Sequence, residues 1–427
     1  MQKSRQAMSR AVRPRMFFGW RVVAAAFTIA LFAWGIGFYG PPIFLGVLHA
    51  TRGWSVALVS SAITVHFLCG SGVVASLGTL HRRYGVAAVT GAGALLTAVG
   101  LLGWGHAREP WQLYLAALFS GAGWAMTSGA ALNAMVSPWF ERRRPAALSM
   151  AFNGASLGGV VFSPLWVALI AAMGFGTAVM AVAAAMLVVI GGLAWGMLRQ
   201  TPAALGVAPD GDAAQSARAA TPAPVAHAAA LDAPRRDRRL RTLALGASLG
   251  LFAQVGLVAH LFSMLAPVLG SGPAGAAMGL ATACAIGGRL VLGRVMSPQM
   301  DRRKAAAFNL GLQALGSMVL LGAGTSGAGM VLGCCLFGMG LGNVTSLPPL
   351  IAQADFRPAD VARVVAWVTA AGQAGYAFAP ALFGLLREWG AAFGQDGLLF
   401  VAAALMQLGA AAVLLAGRQR RHAQAVA

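Results

Sequence analysis

The chain has 427 residues, 58% hydrophobic and 10% charged, and its 31 Lys and Arg outweigh 11 Asp and Glu for a formal net charge of +20. Soluble globular domains carry about 25% charged residues, so this composition excludes an ordinary water-soluble fold and points to helices in lipid. The charge does not indicate a nucleic-acid-binding domain either, because the cations sit in short clusters between apolar runs.

The N-terminus is basic from Lys3 to Arg21 and leads into an apolar run too long for the core of a signal peptide. With no clear cleavage site after it, that run reads as an uncleaved first span. Six spans are expected near 18–47, 54–79, 85–106, 111–136, 146–173 and 175–198. Six more follow near 241–269, 274–297, 304–323, 328–354, 361–387 and 396–417. Each has the roughly 20 residues needed to cross a bilayer core of about 30 Å. The fold class is therefore an all-α polytopic membrane protein with 12 transmembrane helices.

Residues 199–240 separate the two sets. They are rich in Ala, Pro and charge, read as a cytoplasmic linker, and include His227 as a solvated bystander. The organisation is a six-helix bundle at 1–198, the linker at 199–240, a second bundle at 241–417 and a short tail at 418–427. Basic clusters such as Arg82-Arg83, Arg142-Arg143-Arg144 and Arg302-Arg303-Lys304 fall in every second loop, whereas the others hold only Arg52, Arg108 and Arg387. That alternation puts both termini in the cytoplasm of a cell whose inner membrane holds the chain.

The halves repeat. Phe119, Thr127, Ser128 and Leu132 return at one offset as Phe337, Thr345, Ser346 and Leu350. Gly159, Phe162, Pro164 and Gly174 return as Gly375, Phe378, Pro380 and Gly390. Span 4 thus maps on span 10 and span 5 on span 11, the parallel repeat of a rocking-bundle transporter.

Polar residues inside spans are few. A charge at the bilayer centre costs about 2.5–3.5 kcal/mol on insertion scales and persists where it faces a cavity or a partner. Glu109, Glu141, Asp301, Asp355, Asp360, Glu388 and Asp396 all fall at span ends or in loops. Arg289 is different. It lies eight residues before Ser297, about 12 Å along a helix, too deep to reach the headgroups easily. With no carboxylate at its depth, a substrate carboxylate could supply the partner, held through two parallel hydrogen bonds to the guanidinium; the alternative is a structural role at the cytoplasmic gate. Arg294, nearer the end, fits a gate or a snorkelling side chain.

His66 in span 2 and His260 in span 7 are candidates to carry a proton, and His260 also to touch substrate; each could equally be a neutral histidine bonded to the backbone. Tyr39, Trp124, Asn153, Gln373 and Tyr376 are candidate lining residues. Tyr39 precedes Pro41-Pro42, whose rings interrupt the helix ladder and expose backbone. Cys69, Cys284, Cys334 and Cys335 lie in apolar runs without metal or redox spacing. No nucleotide loop, metal cluster or nucleophile triad appears, so neither a cofactor nor an enzyme is expected. The paired glycines Gly154/Gly158 and Gly338/Gly342 read as helix packing.

The loop G78-T-L-H-R-R-Y-G85 resembles the G-x-L-x-D-R-x-G loop of the major facilitator superfamily, with Arg82 where the aspartate stands. That resemblance implies a gate role for Arg82 and Arg83, without the usual acid. F18-G-W-R-V-V23, R52-G-W-S55 and W139-F-E-R-R-R-P-A-A-L148 are similar to the monocarboxylate and oxalate/formate porter branch. The branch implies transport of a small organic anion, often with a proton, and places its span-8 substrate arginine at Arg289. The branch often supplies a span-1 lysine and an acid near the span-8 arginine; the region around Phe38 is apolar and Ala285 occupies that turn. One positive charge favours a monoanion over a dianion. The competing reading is an exporter of hydrophobic organic compounds, which commonly shows an arginine near the position of Ser120 and a G-P-x-x-G-G element; here the stretch is G154-A-S-L-G-G159. A non-transporting membrane receptor is the remote alternative. The expectation is a monomeric carrier whose partners are the bilayer, a small organic anion and a proton.

Overall fold

A computed structural model describes residues 17–211, 237–297, 299–395 and 397–418. The first half runs through α1 (Phe18–Gly37), α2 (Gly40–Arg52), α3 (Val56–Tyr84), α4 (Val86–His106), α5 (Pro110–Thr127), α6 (Gly129–Val136), α7 (Arg144–Met173) and α8 (Phe175–Leu193). The second runs through α9 (Arg238–Leu269), α10 (Ser271–Val295), α11 (Arg302–Gly322), α12 (Gly327–Leu341), α13 (Asn343–Asp355), α14 (Pro358–Tyr376), α15 (Ala379–Ala392) and α16 (Leu398–Ala416). Among the described residues, 11 helical stretches are long and apolar enough to cross a membrane. The expected span at 361–387 is α14 and α15 end to end, each too short or too polar alone.

Local chemistry sets the boundaries. Ser55, Asp237, Asp301 and Ser326 cap α3, α9, α11 and α12 by accepting first-turn N–H groups. Gly85 ends α3 and opens α4 at φ 81, a left-handed conformation a side chain resists, so two antiparallel spans meet with almost no loop. Helices then approach at backbone distance through small residues. Any side chain at Gly154 would strike the Phe27 carbonyl, at Gly121 the His66 carbonyl, and at Gly288 the Met339 carbonyl.

One end of the molecule carries Arg82, Arg83, Arg144, Arg303 and Arg418 and is called the basic end; the opposite end is the far end. At the basic end Arg303 is buried and ties four helices together. Its Nε donates to Asp355 at 2.7 Å, Nη1 to the Leu414 carbonyl at 3.0 Å and Nη2 to the Arg239 carbonyl at 2.9 Å. The linker region begins as an ordered return: Asp210 accepts backbone N–H groups from Arg142 at 2.9 Å and from Glu141 and Arg143 at 3.2 Å. Burial opposes its ionisation, but these donors and the nearby Arg142 charge hold the carboxyl below the usual range. The rest of the linker to residue 236, including His227, lies outside the described residues, as does the tail beyond Arg418. The α9 helix starts at Arg238, so the basic end of the linker is its first turn.

The halves touch at the far end and part toward the basic end. On α10, Gly275 packs on Val167, Gly279 on Pro164 and Thr282 on Gly159 of α7. Between α3 and α15, Gly384 abuts Ser60 and Ala381 N–H donates to Thr64 Oγ1 at 3.0 Å. The α2 helix lies on α9, with Gly46 against Phe262. The basic-end segments α6 and α13 have no comparable contact across the halves, and α14 meets α3 only marginally. The two halves are closed on each other at the far end.

Candidate functional site

Where the parting halves meet at mid-depth, α1 breaks. The chain leaves the helix at Phe38 and Tyr39 and re-enters it at Gly40, with prolines in the first turn of α2. The break turns the Tyr39 ring onto α7 and α10: a Cβ on Gly159 would lie 2.6 Å from Tyr39 Cζ and 2.7 Å from Thr282 Oγ1. The phenol is in hydrogen-bond reach of Thr282 and interacts electrostatically with Arg289. Thr282 and Arg289 are seven residues apart on α10, two turns along one face.

Arg289 is half-buried and poorly satisfied. Among the described residues its one hydrogen bond is Nη2 to the Gly342 carbonyl at 3.4 Å, where α12 gives way to α13, and its buried Nε has no partner there. Among the described residues no carboxylate pairs with it. The contrast with Arg303 is instructive. Arg303, fully buried, has an aspartate and short bonds from all three nitrogens, whereas half-buried Arg289 keeps unused donors within electrostatic range of the Tyr39 phenol. Open guanidinium donors are able to hold an anion through paired hydrogen bonds.

Aromatic rings cover the far-end side. Phe38 stacks edge-on to Tyr39 at 5.1 Å; Phe67 meets Phe38 at 6.0 Å, Trp124 at 5.5 Å and Tyr376 of the other half at 5.6 Å. Trp34 reaches Trp124 at 6.2 Å, and the Trp124 Nε1 is buried without an acceptor. Tyr39, Trp124 and Tyr376 are thus brought to one ceiling. Asn153 is exposed on α7 toward the basic end from Gly159, and Gln373 lies one turn below Tyr376 on α14.

The two histidines sit outside this seat. His66 is buried against Trp124, with Nδ1 2.9 Å from Ser120 Oγ, and the same hydroxyl accepts from Trp104 Nε1 at 3.1 Å. Its Nε2 makes no hydrogen bond of normal geometry, although the Gly37 backbone is close. His260 is fully buried and its Nε2 donates to the Pro380 carbonyl at 3.0 Å, at the start of α15. Arg82 bonds Thr79 at 3.0 Å, Arg83 lies over Tyr84, and Arg294 is exposed in the last turn of α10. These three stand on the basic-end rim and do not meet across the halves in this conformation. Thr282 and Gly342 were not among the sequence candidates; the spacing from Arg289 was the available signal for Thr282. A separate small crevice in the second half is lined by Leu243, Leu310, Leu347 and Ile351, with Asn309 its polar wall. It lacks a charged anchor.

Helical stretches long and apolar enough to cross a membrane, packed as two groups, define a polytopic membrane protein. The Major Facilitator Superfamily profile matches residues 25–380, and the chain belongs to that family. Among curated proteins it is similar to monocarboxylate transporter 13 of Bos taurus, 31% identical over 168 residues, covering 37% of each chain. It is also similar to monocarboxylate transporter 3 of Rattus norvegicus, 33% identical over 151 residues, covering 35% of this chain and 30% of the relative. The matched stretch therefore spans about a third of those relatives. The fold matches the solved nucleoside transporter NupG at a TM-score of 0.71 and 14% identity, covering 94% of this chain and 99% of that one. A bacterial homologue of the human lysosomal transporter Spinster matches at 0.68 and 14%, covering 94% and 96%. Membership of that family indicates a transporter rather than an enzyme.

Proposed function

We propose that the chain moves a small organic monoanion by alternating access, with Arg289 as the carboxylate seat. The observation that carries this reading is the half-buried guanidinium with an unpartnered Nε beside Tyr39 and without a carboxylate. The carboxylate takes two donors of Arg289, Tyr39 Oη adds a third, and the aromatic ceiling receives the apolar remainder. The partial likeness to monocarboxylate transporters points the same way. The alternation of basic loops places the basic end in the cytoplasm of an inner membrane, so this conformation releases or collects substrate on the inside. A proton is the natural co-substrate, moving with the anion, through His66 or His260 or as the undissociated acid.

Uptake of labelled acetate, lactate, benzoate and succinate into proteoliposomes, with and without a pH gradient, tests the reading. Monocarboxylates enter, succinate does not, an inward proton gradient accelerates entry, and Arg289→Ala abolishes it while remaining monodisperse. Saturable transport of neutral or cationic compounds with no response to carboxylates would favour the exporter reading instead.

A further inference from the structure

At the far end, α3 and α15 belong to opposite halves, and each begins by borrowing a hydrogen-bond acceptor from the other. Ala57 N–H, in the first turn of α3, donates to Glu388 Oε1 at 2.7 Å, 331 residues away. Ala381 N–H, in the first turn of α15, donates to Thr64 Oγ1 at 3.0 Å. First-turn N–H groups have no partner inside their own helix, and the positive end of a helix favours a carboxylate. Ser55, the residue that caps α3 from within, takes only Leu58 N–H with its side chain. Between the two bonds the helices touch at backbone distance: a Cβ on Gly384 would lie 2.6 Å from Ser60 Oγ and 3.4 Å from Ala57 Cα. Arg387, beside Glu388, is turned the other way, with Nη1 on Ser263 Oγ of α9 at 2.5 Å.

We infer that Glu388 is the latch of the far-end gate: its carboxylate, seated on the N-terminus of α3, holds the two halves shut there, with Thr64 as the matching half of the latch. No far-end opening can occur while both bonds stand, because they join the two bodies that must separate. The aromatic ceiling and Arg289 lie deeper, so the latch acts on the balance between conformations without touching the anion seat. Loss of the carboxylate charge shifts that balance toward a far-end-open carrier. Gly384 is the contact that lets the latch close, and a side chain there wedges it.

The inference rests on the alternating-access part of the function proposed above but not on the identity of the substrate. Its test needs no substrate. In a full-length background lacking the four native cysteines, Ser60→Cys is introduced alone and labelled with a maleimide. Ser60 is fully buried against Gly384 when the far end is shut, so a thiol there reacts only as that end opens. Adding Glu388→Ala speeds labelling about tenfold, equivalent to about 1.4 kcal/mol of conformational bias. Glu388→Gln, which keeps an acceptor oxygen but no charge, falls between, and Thr64→Val speeds the reaction as well. Equal labelling rates in the parent and in Glu388→Gln, Glu388→Ala and Thr64→Val would overturn the latch. Because the readout is gate closure, it can fail while carboxylate transport succeeds, and succeed while carboxylate transport fails.

Discussion

Arg289 has spare donors because of the residue it leans on. Gly342 offers one carbonyl at 3.4 Å, and its missing side chain leaves room for the guanidinium: a Cβ there would come 2.7 Å from Nη2. Gly342→Ala therefore displaces the flexible end of Arg289 and also presses on the Ala285 carbonyl of α10, which would lie 3.0 Å from the new Cβ. The expected result is a KM for monocarboxylate raised about tenfold, about 1.4 kcal/mol, with a lowered melting temperature as α10 and α12 shift apart. Ser120 makes the opposite case. One hydroxyl serves both His66 and Trp104 in a buried place, so Ser120→Ala strands two polar groups and costs about 1–3 kcal/mol of stability, read as a lowered melting temperature. The depth of Arg289 and its lack of a carboxylate partner were legible in the sequence, because both are countable along a chain. Glu388 was read as a residue at a span end, which it is; its acceptor role across 331 residues depends on how the halves close, and no spacing encodes that.

The same residue can make different elements. Pro164 and Pro380 occupy equivalent places in the repeat, yet α7 runs through Pro164 while the other half breaks at Ala377–Phe378 and restarts at Ala379. Pro380's carbonyl is taken by His260, which steadies the restart, whereas the Val160 carbonyl left over by Pro164 rests against Gly279 of α10. The prolines showed that spans could break; tertiary partners decided which did. The linker shows a similar limit. Its composition reads as unstructured, but Asp210 folds residues up to Gly211 back onto the loop before α7. This carboxyl is held below its ordinary value, so the clasp is intact above the unfolded pKa of about 4 and is lost as pH falls through the lower folded value. Asp210→Ala is expected to lower the melting temperature at pH 7. The gap from the parent should close in acid below the folded pKa; a gap unchanged by pH would remove the charge from the explanation.

For the whole molecule, composition and hydropathy were enough to give an all-helical polytopic membrane protein, because a span in lipid must be long and apolar. Among the described residues 11 helical stretches meet that requirement, while the span expected at 361–387 is divided between α14 and α15. What stayed hidden was the relative placement of polar residues on neighbouring helices. His66 and His260 look alike in sequence, but one is held by Ser120 and the other by a backbone carbonyl. Tyr39 joins Arg289 because α1 breaks where it does. The account stands on an anion seated at that meeting point. Equilibrium binding of labelled benzoate to the purified protein tests this without any assumption about direction or coupling. Saturable binding in the parent, weakened at least about tenfold in Arg289→Lys and absent in Arg289→Ala, is the predicted result; undiminished binding by a folded Arg289→Ala protein would contradict it.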